Sequence, residues 1–178
     1  MRATETAIKG VYVIHPKIFR DDRGYFFESF NKEKFKELTG SELDFVQDNQ
    51  SKSDRGTLRG LHYQSEPHAQ GKLVRVISGA VLDVVVDIRK DSPTYGEYIS
   101  ELLEPHTQRM IWIPPGMAHG FITLEDDTIF VYKCTESYHP ESEMCIAWND
   151  SDLNISWGID EPLVSEKDSK GMLFKNIK

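Results

Sequence analysis

Apolar residues fall at every second position through much of the middle of the chain. The stretch LVRVISGAVLDVVVDIR (73–89) holds two β-branched runs separated by Ser78 and Gly79, a small-residue pair that predicts a tight turn between antiparallel strands. In the second run Leu82, Val84, Val86 and Ile88 share one face, while Val81, Asp83, Val85 and Asp87 share the other. YISELL (98–103), RMIWI (109–113), HGFITL (119–124), TIFVYKCT (128–135) and MCIAW (144–148) continue the series, set apart by Pro, Gly, Asp or Ser. Many short strands at close spacing predict an all-β sandwich or barrel. Helix is scarce: NKEKFKELTG (31–40) offers Asn31 as N-cap, Phe35 and Leu38 on one face, and Gly40 as a stop.

Composition narrows the setting. A chain of 178 residues, 39% of them apolar, suits one domain around one core, and no linker, repeat or low-complexity tract divides residues 1–178. No apolar run approaches the roughly 20 residues that span a bilayer, and the opening MRATETAIKG lacks the apolar centre of a secretory signal, so a cytoplasmic protein without a membrane partner is expected. In a reducing compartment Cys134 and Cys145 are expected as thiols without a disulfide. The net charge of −8 argues against generic nucleic-acid binding, which calls for a basic patch and a basic balance. It leaves room for a small anionic ligand held by local cations, for which Arg23, Arg59, Lys72 and Arg75 are candidates.

The chemistry centres on RGLHYQ (59–64). As metal ligands His62, His68 and His119 are weakly spaced: where an H-x-H pair would be strongest the chain has His62-Tyr63-Gln64, and an amide is a poor substitute for imidazole. In IPPGMAHG (113–120) a Pro-Pro-Gly corner aims His119 inward, as a core histidine or a site residue. Lys72 shares a strand face with Val74 and Val76. If that face lines a barrel, its ammonium is buried and needs an anion or carbonyl oxygen; otherwise it sits at the mouth in water. Tyr132 shares a face with Phe130 and Cys134 and reads equally as core or site. Ser165 and Asp168 have capping-box spacing, which is a structural explanation for both. Arg59 and His62 differ in strand parity, a conflict that a bulge at Gly60 would resolve.

Taken together, FRDDRGYFFESF, QDNQS, LRGLHYQ, HAQGKLVRVISGAVLDVVVDIRKDSPTYG, WIPPGMAHGF, VYKCTESYHPESE and VSEKD stand in the order found in one family. From about residue 8 to residue 172 the chain resembles the dTDP-4-dehydrorhamnose 3,5-epimerases, with small departures such as Tyr25 and Thr57. The resemblance implies a cupin-like jelly roll, a homodimer with exchanged N-terminal strands, no metal, no organic cofactor and a dTDP-4-keto-6-deoxyhexose substrate. It also implies roles: His62 as base, Asp168 as the carboxylate behind it, Lys72 as the cation at the enolate oxygen and Tyr132 as the acid on the opposite face. By the same resemblance Arg23 and Arg59 meet the diphosphate, Tyr138 stacks on thymine, and Phe26, Glu28, Gln47, Asn49, His119, Glu143 and Lys167 line the nucleotide or sugar. With exchanged strands, Arg23, Phe26 and Glu28 would serve the partner's site.

These residue types suit the reaction implied. A ketone at C4 acidifies the C–H bonds at C3 and C5, and loss of either proton leaves an enolate on the C4 oxygen. An imidazole is a base of suitable strength, a fixed cation stabilises the oxyanion, and an acid across the ring returns the proton with inverted stereochemistry. Three alternatives are weighed against this: a C3-only epimerase with the same apparatus, a metal-dependent cupin oxygenase or isomerase, and a non-catalytic nucleotide-sugar binder.

Overall fold

The computed structural model describes residues 1–177. In chain order the elements are β1 (Arg2–Glu5), β2 (Tyr12–His15), β3 (Phe19–Asp21), β4 (Gly24–Phe26), helix α1 (Lys32–Thr39), β5 (Gln47–Ser53), β6 (Thr57–Gln64), β7 (Lys72–Ser78), β8 (Val81–Asp87), β9 (Tyr98–Leu103), β10 (Met110–Ile113), β11 (Met117–Thr123), β12 (Thr128–Cys134), β13 (Glu143–Cys145) and β14 (Leu163–Val164). One sheet has the order β1-β2-β10-β7-β12-β5; a second has the order β13-β6-β11-β8-β9, with β14 alongside β6; β3 and β4 pair only with each other. Within the described residues no helix is long and apolar enough to cross a membrane.

Between the sheets lie the inward halves of the alternating strands, including Val74 and Val76 of β7, Val81 and Val85 of β8, Phe121 of β11 and Phe130 of β12, all at most 4% exposed. The outer faces are covered separately. On the first sheet α1 sets Phe35 edge-on against Trp112, with ring centroids 4.9 Å apart, and Phe30 and Phe45 complete the aromatic cluster. On the second, the chain after β13 folds back so that Leu153 and Trp157 cover Leu58, Leu61, Val84 and Ile122. Strand β8 is therefore buried along both faces because both faces are covered.

The expected helix forms: Asn31 Oδ1 accepts from the Lys34 amide, and Gly40 ends the helix in the left-handed region with φ of 70°. The expected hairpin at Ser78-Gly79 does not. Strand β7 pairs with β10 and β12, whereas β8 pairs with β9 and β11, so the turn carries the chain from one sheet to the other. Alternation specifies two strands and their inward faces, and either arrangement satisfies it. Gly79, with φ of 77°, allows the crossing where a Cβ would lie 2.2 Å from Thr128 Oγ1.

At the end of β8, Asp87 is fully buried and anchors the following turn. Its carboxylate accepts from Arg89 Nε at 2.9 Å and Nη2 at 2.7 Å, from Ser92 Oγ, and from Thr94 Oγ1 at 2.6 Å. Burial alone would raise the carboxyl pKa, but the bonds from Arg89, Ser92 and Thr94 outweigh it and hold it well below the usual range. A depressed carboxyl contributes stability that is complete above its unfolded pKa and is lost as pH falls through the folded value. Asp87→Ala, which strands Arg89 and two hydroxyls, is expected to cost about 3–5 kcal/mol in urea unfolding at neutral pH, with the gap to wild type closing in acid below about pH 4. An unchanged midpoint at pH 7 would show that the network carries no stability.

Candidate active site

The site begins with a break in register. On β11, Phe121 pairs with Arg59 and Ile122 with Leu58, but His119 pairs with His62, so β6 carries one additional residue between Arg59 and His62. The bulge sits at Gly60, whose φ is 134° and where a Cβ would lie 2.5 Å from Gly120 Cα and 2.9 Å from the His119 carbonyl. Two backbones pass closer there than any side chain allows. Leu58 and Leu61 consequently pack in the outer core, and Arg59, His62 and Gln64 all face inward.

Behind His62 stands Asp168, whose side chain is 5% exposed, with Oδ1 2.6 Å from His62 Nε2. The Asp168 amide donates to Ser165 Oγ at 3.0 Å, so half of the capping box forms, while the carboxylate reaches instead to His62 and to the Gly60 amide at 3.5 Å. Burial would raise the Asp168 carboxyl pKa; the hydrogen bond and charge of His62, with the donors at Gly60 and Ser165, outweigh it and hold it below the ordinary value. An ionised carboxylate only accepts. The shared proton therefore sits on Nε2 and leaves Nδ1 as the ring nitrogen not engaged by Asp168.

His62 borders a cavity of about 240 Å³ at one end of the space between the sheets, together with Gln47, Asn49, Lys72, Tyr132 and Glu143, and with Tyr138 at its mouth. Strand pairing explains the convergence. Tyr132 sits opposite Val74 on β7 and Asn49 on β5, Cys134 opposite Lys72 and Gln47, and Glu143 opposite Gln64. Lys72 thus continues the buried row of Val74 and Val76, and its burial lowers the ammonium pKa; Cys134, Glu143 and Asp83 oppose that shift only through space. Tyr132 is pushed up to about 12, chiefly by burial, so its hydroxyl keeps its proton at neutral pH. Glu143 accepts from Tyr138 and is paired with Lys167, and Gln47 Oε1 accepts from the Tyr138 amide at 2.9 Å. The cavity therefore gathers an imidazole, a protonated phenol and an ammonium around one small volume.

Other predicted residues lie elsewhere. Arg59 spans the sheets to Ser53 Oγ, with Nε and Nη2 both at 3.1 Å. His119 points inward as expected, and its side chain turns to Asp83 rather than to the residues that line the cavity. Although it pairs with His62 across the strands, its Nε2 is 2.8 Å from buried Asp83 Oδ2 and its ring lies beside the stacked Phe121 and Phe130. Arg23, Phe26 and Glu28 are not brought to this chain's cavity. Arg23 pairs with Asp21, Phe26 is 66% exposed on the β3–β4 hairpin, and Glu28 binds Asn31 and Lys34 beside α1. The three spaced histidines do not converge. Gln64, Gln70 and Tyr63 border the cavity without having been singled out; for Gln64 the signal is its parity with His62.

Gly60→Ala tests the bulge. The substitution places a methyl group against the Gly120 backbone at a φ that L-residues avoid, and it is expected to lower stability by about 2–3 kcal/mol and to reduce ligand binding at the cavity. Wild-type stability would mean that the close contact is dispensable.

A family model described as dTDP-4-dehydrorhamnose 3,5-epimerase matches residues 5–176. The chain is 50% identical to the dTDP-4-dehydrorhamnose 3,5-epimerase of Shigella flexneri over 98% of this chain and 96% of that one, and 51% identical to that of Pseudomonas aeruginosa over 98% and 96%. Among solved structures, a dTDP-6-deoxy-D-glucose-3,5-epimerase from Legionella pneumophila in complex with dTDP-4-keto-L-rhamnose superposes with a TM-score of 0.96 at 46% identity, covering 99% of this chain and 94% of that one. A 3'-monoepimerase from Streptomyces bikiniensis in complex with dTDP-quinovose gives 0.91 at 35% identity, covering 98% and 88%.

Proposed function

The chain belongs to the dTDP-4-dehydrorhamnose 3,5-epimerase family and is an isomerase of dTDP-4-dehydro-6-deoxy-D-glucose, and we propose that His62, Tyr132 and Lys72 carry the reaction. The observation that carries this assignment is the convergence of a carboxylate-backed imidazole, a protonated, half-buried phenol and a half-buried ammonium on one cavity. His62 Nδ1 takes the proton from the carbon beside the ketone. Asp168 holds the ring in the required tautomer and stabilises the imidazolium that forms. Lys72 Nζ meets the charge that collects on the C4 oxygen, in a setting where its own hydration is already reduced. Tyr132 returns a proton to the opposite face. Each inversion leaves the oxidation level of the sugar unchanged, so proton transfer alone balances the equation and no organic cofactor is required.

The nucleotide end falls to groups at the mouth. Tyr138 offers a ring for stacking on the base, with Gln47, Asn49, Glu143 and Lys167 near it, and Arg59 offers a guanidinium fork to the diphosphate. For the remaining contacts we propose a homodimer in which the β3–β4 hairpin serves the neighbouring copy. Supporting this, the hairpin pairs with no other strand of its own chain and exposes Phe19, Tyr25 and Phe26, each more than half accessible. Arg23, Phe26 and Glu28 would then complete the partner's cavity.

Proton NMR of the substrate in D2O tests the assignment. Wild type should exchange both the C3 and C5 protons for deuterium, while loss at C3 alone would make this protein a monoepimerase like its Streptomyces neighbour. His62→Ala is expected to lower exchange at both carbons by about 10²–10⁴-fold with nucleotide affinity nearly intact; retained exchange removes His62 as base.

Tyr132→Phe and Lys72→Met separate the other two roles. The first should slow epimerisation more than exchange, since deprotonation survives without the acid. The second should cost about 10²–10³ in kcat through the enolate. Equal loss of both steps in Tyr132→Phe, or near-normal turnover of Lys72→Met, overturns the respective role.

A further inference from the structure

Outside the cavity a second constellation remains that the epimerase chemistry does not use. His68, on the loop after β6, and His139, on the loop after β12, lie face to face with ring centroids 3.6 Å apart and planes 11° from parallel. Glu136 joins them, and one donor atom from each of the three lies within 4.8 Å of the other two. In a tetrahedral site with metal–nitrogen bonds near 2.0–2.1 Å, two ligand nitrogens stand roughly 3.3 Å apart with their in-plane lone pairs converging, so closing this set turns one ring out of the stack as well as shifting the donors by about 1.5 Å.

The backbone beneath these ligands is fixed in advance. Gln64, 6% exposed, donates from Nε2 to the carbonyls of His68 at 2.7 Å and Ser137 at 3.1 Å, and its Oε1 accepts from the His139 amide at 2.7 Å. Gln70 Nε2 donates to the Glu136 carbonyl at 2.8 Å. Two amide side chains therefore hold both loops at the positions that carry the ligands, before any ion arrives. The outer surroundings are also those of a metal site. Glu141 Oε1 lies 3.1 Å from His139 Nδ1, which engages that nitrogen and leaves Nε2, 3.9 Å from Glu136, as the one facing the other ligands. A carboxylate behind a ligating imidazole is the usual way proteins orient such a ring and raise its basicity. Two neutral imidazoles, the Glu136 carboxylate and the nearby Glu141 carboxylate together balance a dication.

We propose that His68, His139 and Glu136 form a binding site for a divalent transition metal of the zinc class, with Glu141 orienting His139. The fourth position is left to water. The mixture of two nitrogens and one carboxylate favours zinc, cobalt or nickel over magnesium or calcium, which prefer all-oxygen shells. Because His139 follows Tyr138 directly, an ion here also restrains the segment at the cavity mouth. The site does not depend on the catalytic roles proposed above.

Isothermal titration of ZnCl₂ into the metal-stripped full chain, paired with amide hydrogen exchange, tests this. One equivalent should bind in the micromolar range, His68→Ala and His139→Ala should each weaken binding by more than about tenfold, and zinc should slow exchange across residues 65–71 and 136–139. Cys145→Ser controls for the other cluster of suitable donors, His62, Cys145 and Asp168, and should bind as wild type. Absence of binding below millimolar zinc overturns the proposal. So does a site lost in Cys145→Ser but retained in the two histidine variants, or equal affinity throughout.

Discussion

In a two-sheet sandwich every second residue of a paired strand must enter the space between the sheets, and this constraint organises the molecule. Along β7 and β12 the inward row is apolar as far as Val74 and Phe130, then continues into Lys72 and Tyr132. The same geometry that fills the core therefore delivers an ammonium and a phenol to its end, desolvated by the packing behind them. Neither needs a loop to position it. Their shifted acidities follow from where the row places them, the ammonium lowered and the phenol raised by burial.

Much of this was readable from the sequence because alternation is a property of residues. The inward faces of β7, β8 and β12, the helix from Asn31 to Gly40, and the parity conflict between Arg59 and His62 all follow from spacing, and the bulge at Gly60 resolves that conflict. What alternation leaves unspecified is the identity of neighbours. The turn at Ser78-Gly79 reads as a hairpin because strand sequence does not encode which sheet a strand joins; the Thr128 side chain packed against Gly79 is a tertiary fact. Strand β5, QDNQSKS, escapes a hydrophobic reading altogether, since its inward positions Gln47 and Asn49 border a polar cavity.

His119 and Asp168 show the same division from the side of chemistry. Both read as either structural or functional. His119 proves to be tied to Asp83 in the interior although it stands directly opposite His62, and that tie joins residues 36 positions apart on neighbouring strands. Asp168 fulfils the structural reading through its backbone, which donates to Ser165, and the site reading through its carboxylate, which meets His62. A local pattern and a long-range contact share one residue without competing, because they use different atoms of it.

Asp168 does not belong to the sheet that bears His62. It arrives on a segment held by two residue pairs of β14 with β6, by the bridge between Ile146 and Met172, and by the packing of Phe174 and Ile177. A shallow opening of that segment would cost far less free energy than melting the barrel, yet it would strip the imidazole of its orienting carboxylate. The contact between the two side chains can thus be lost on heating while the two sheets remain paired.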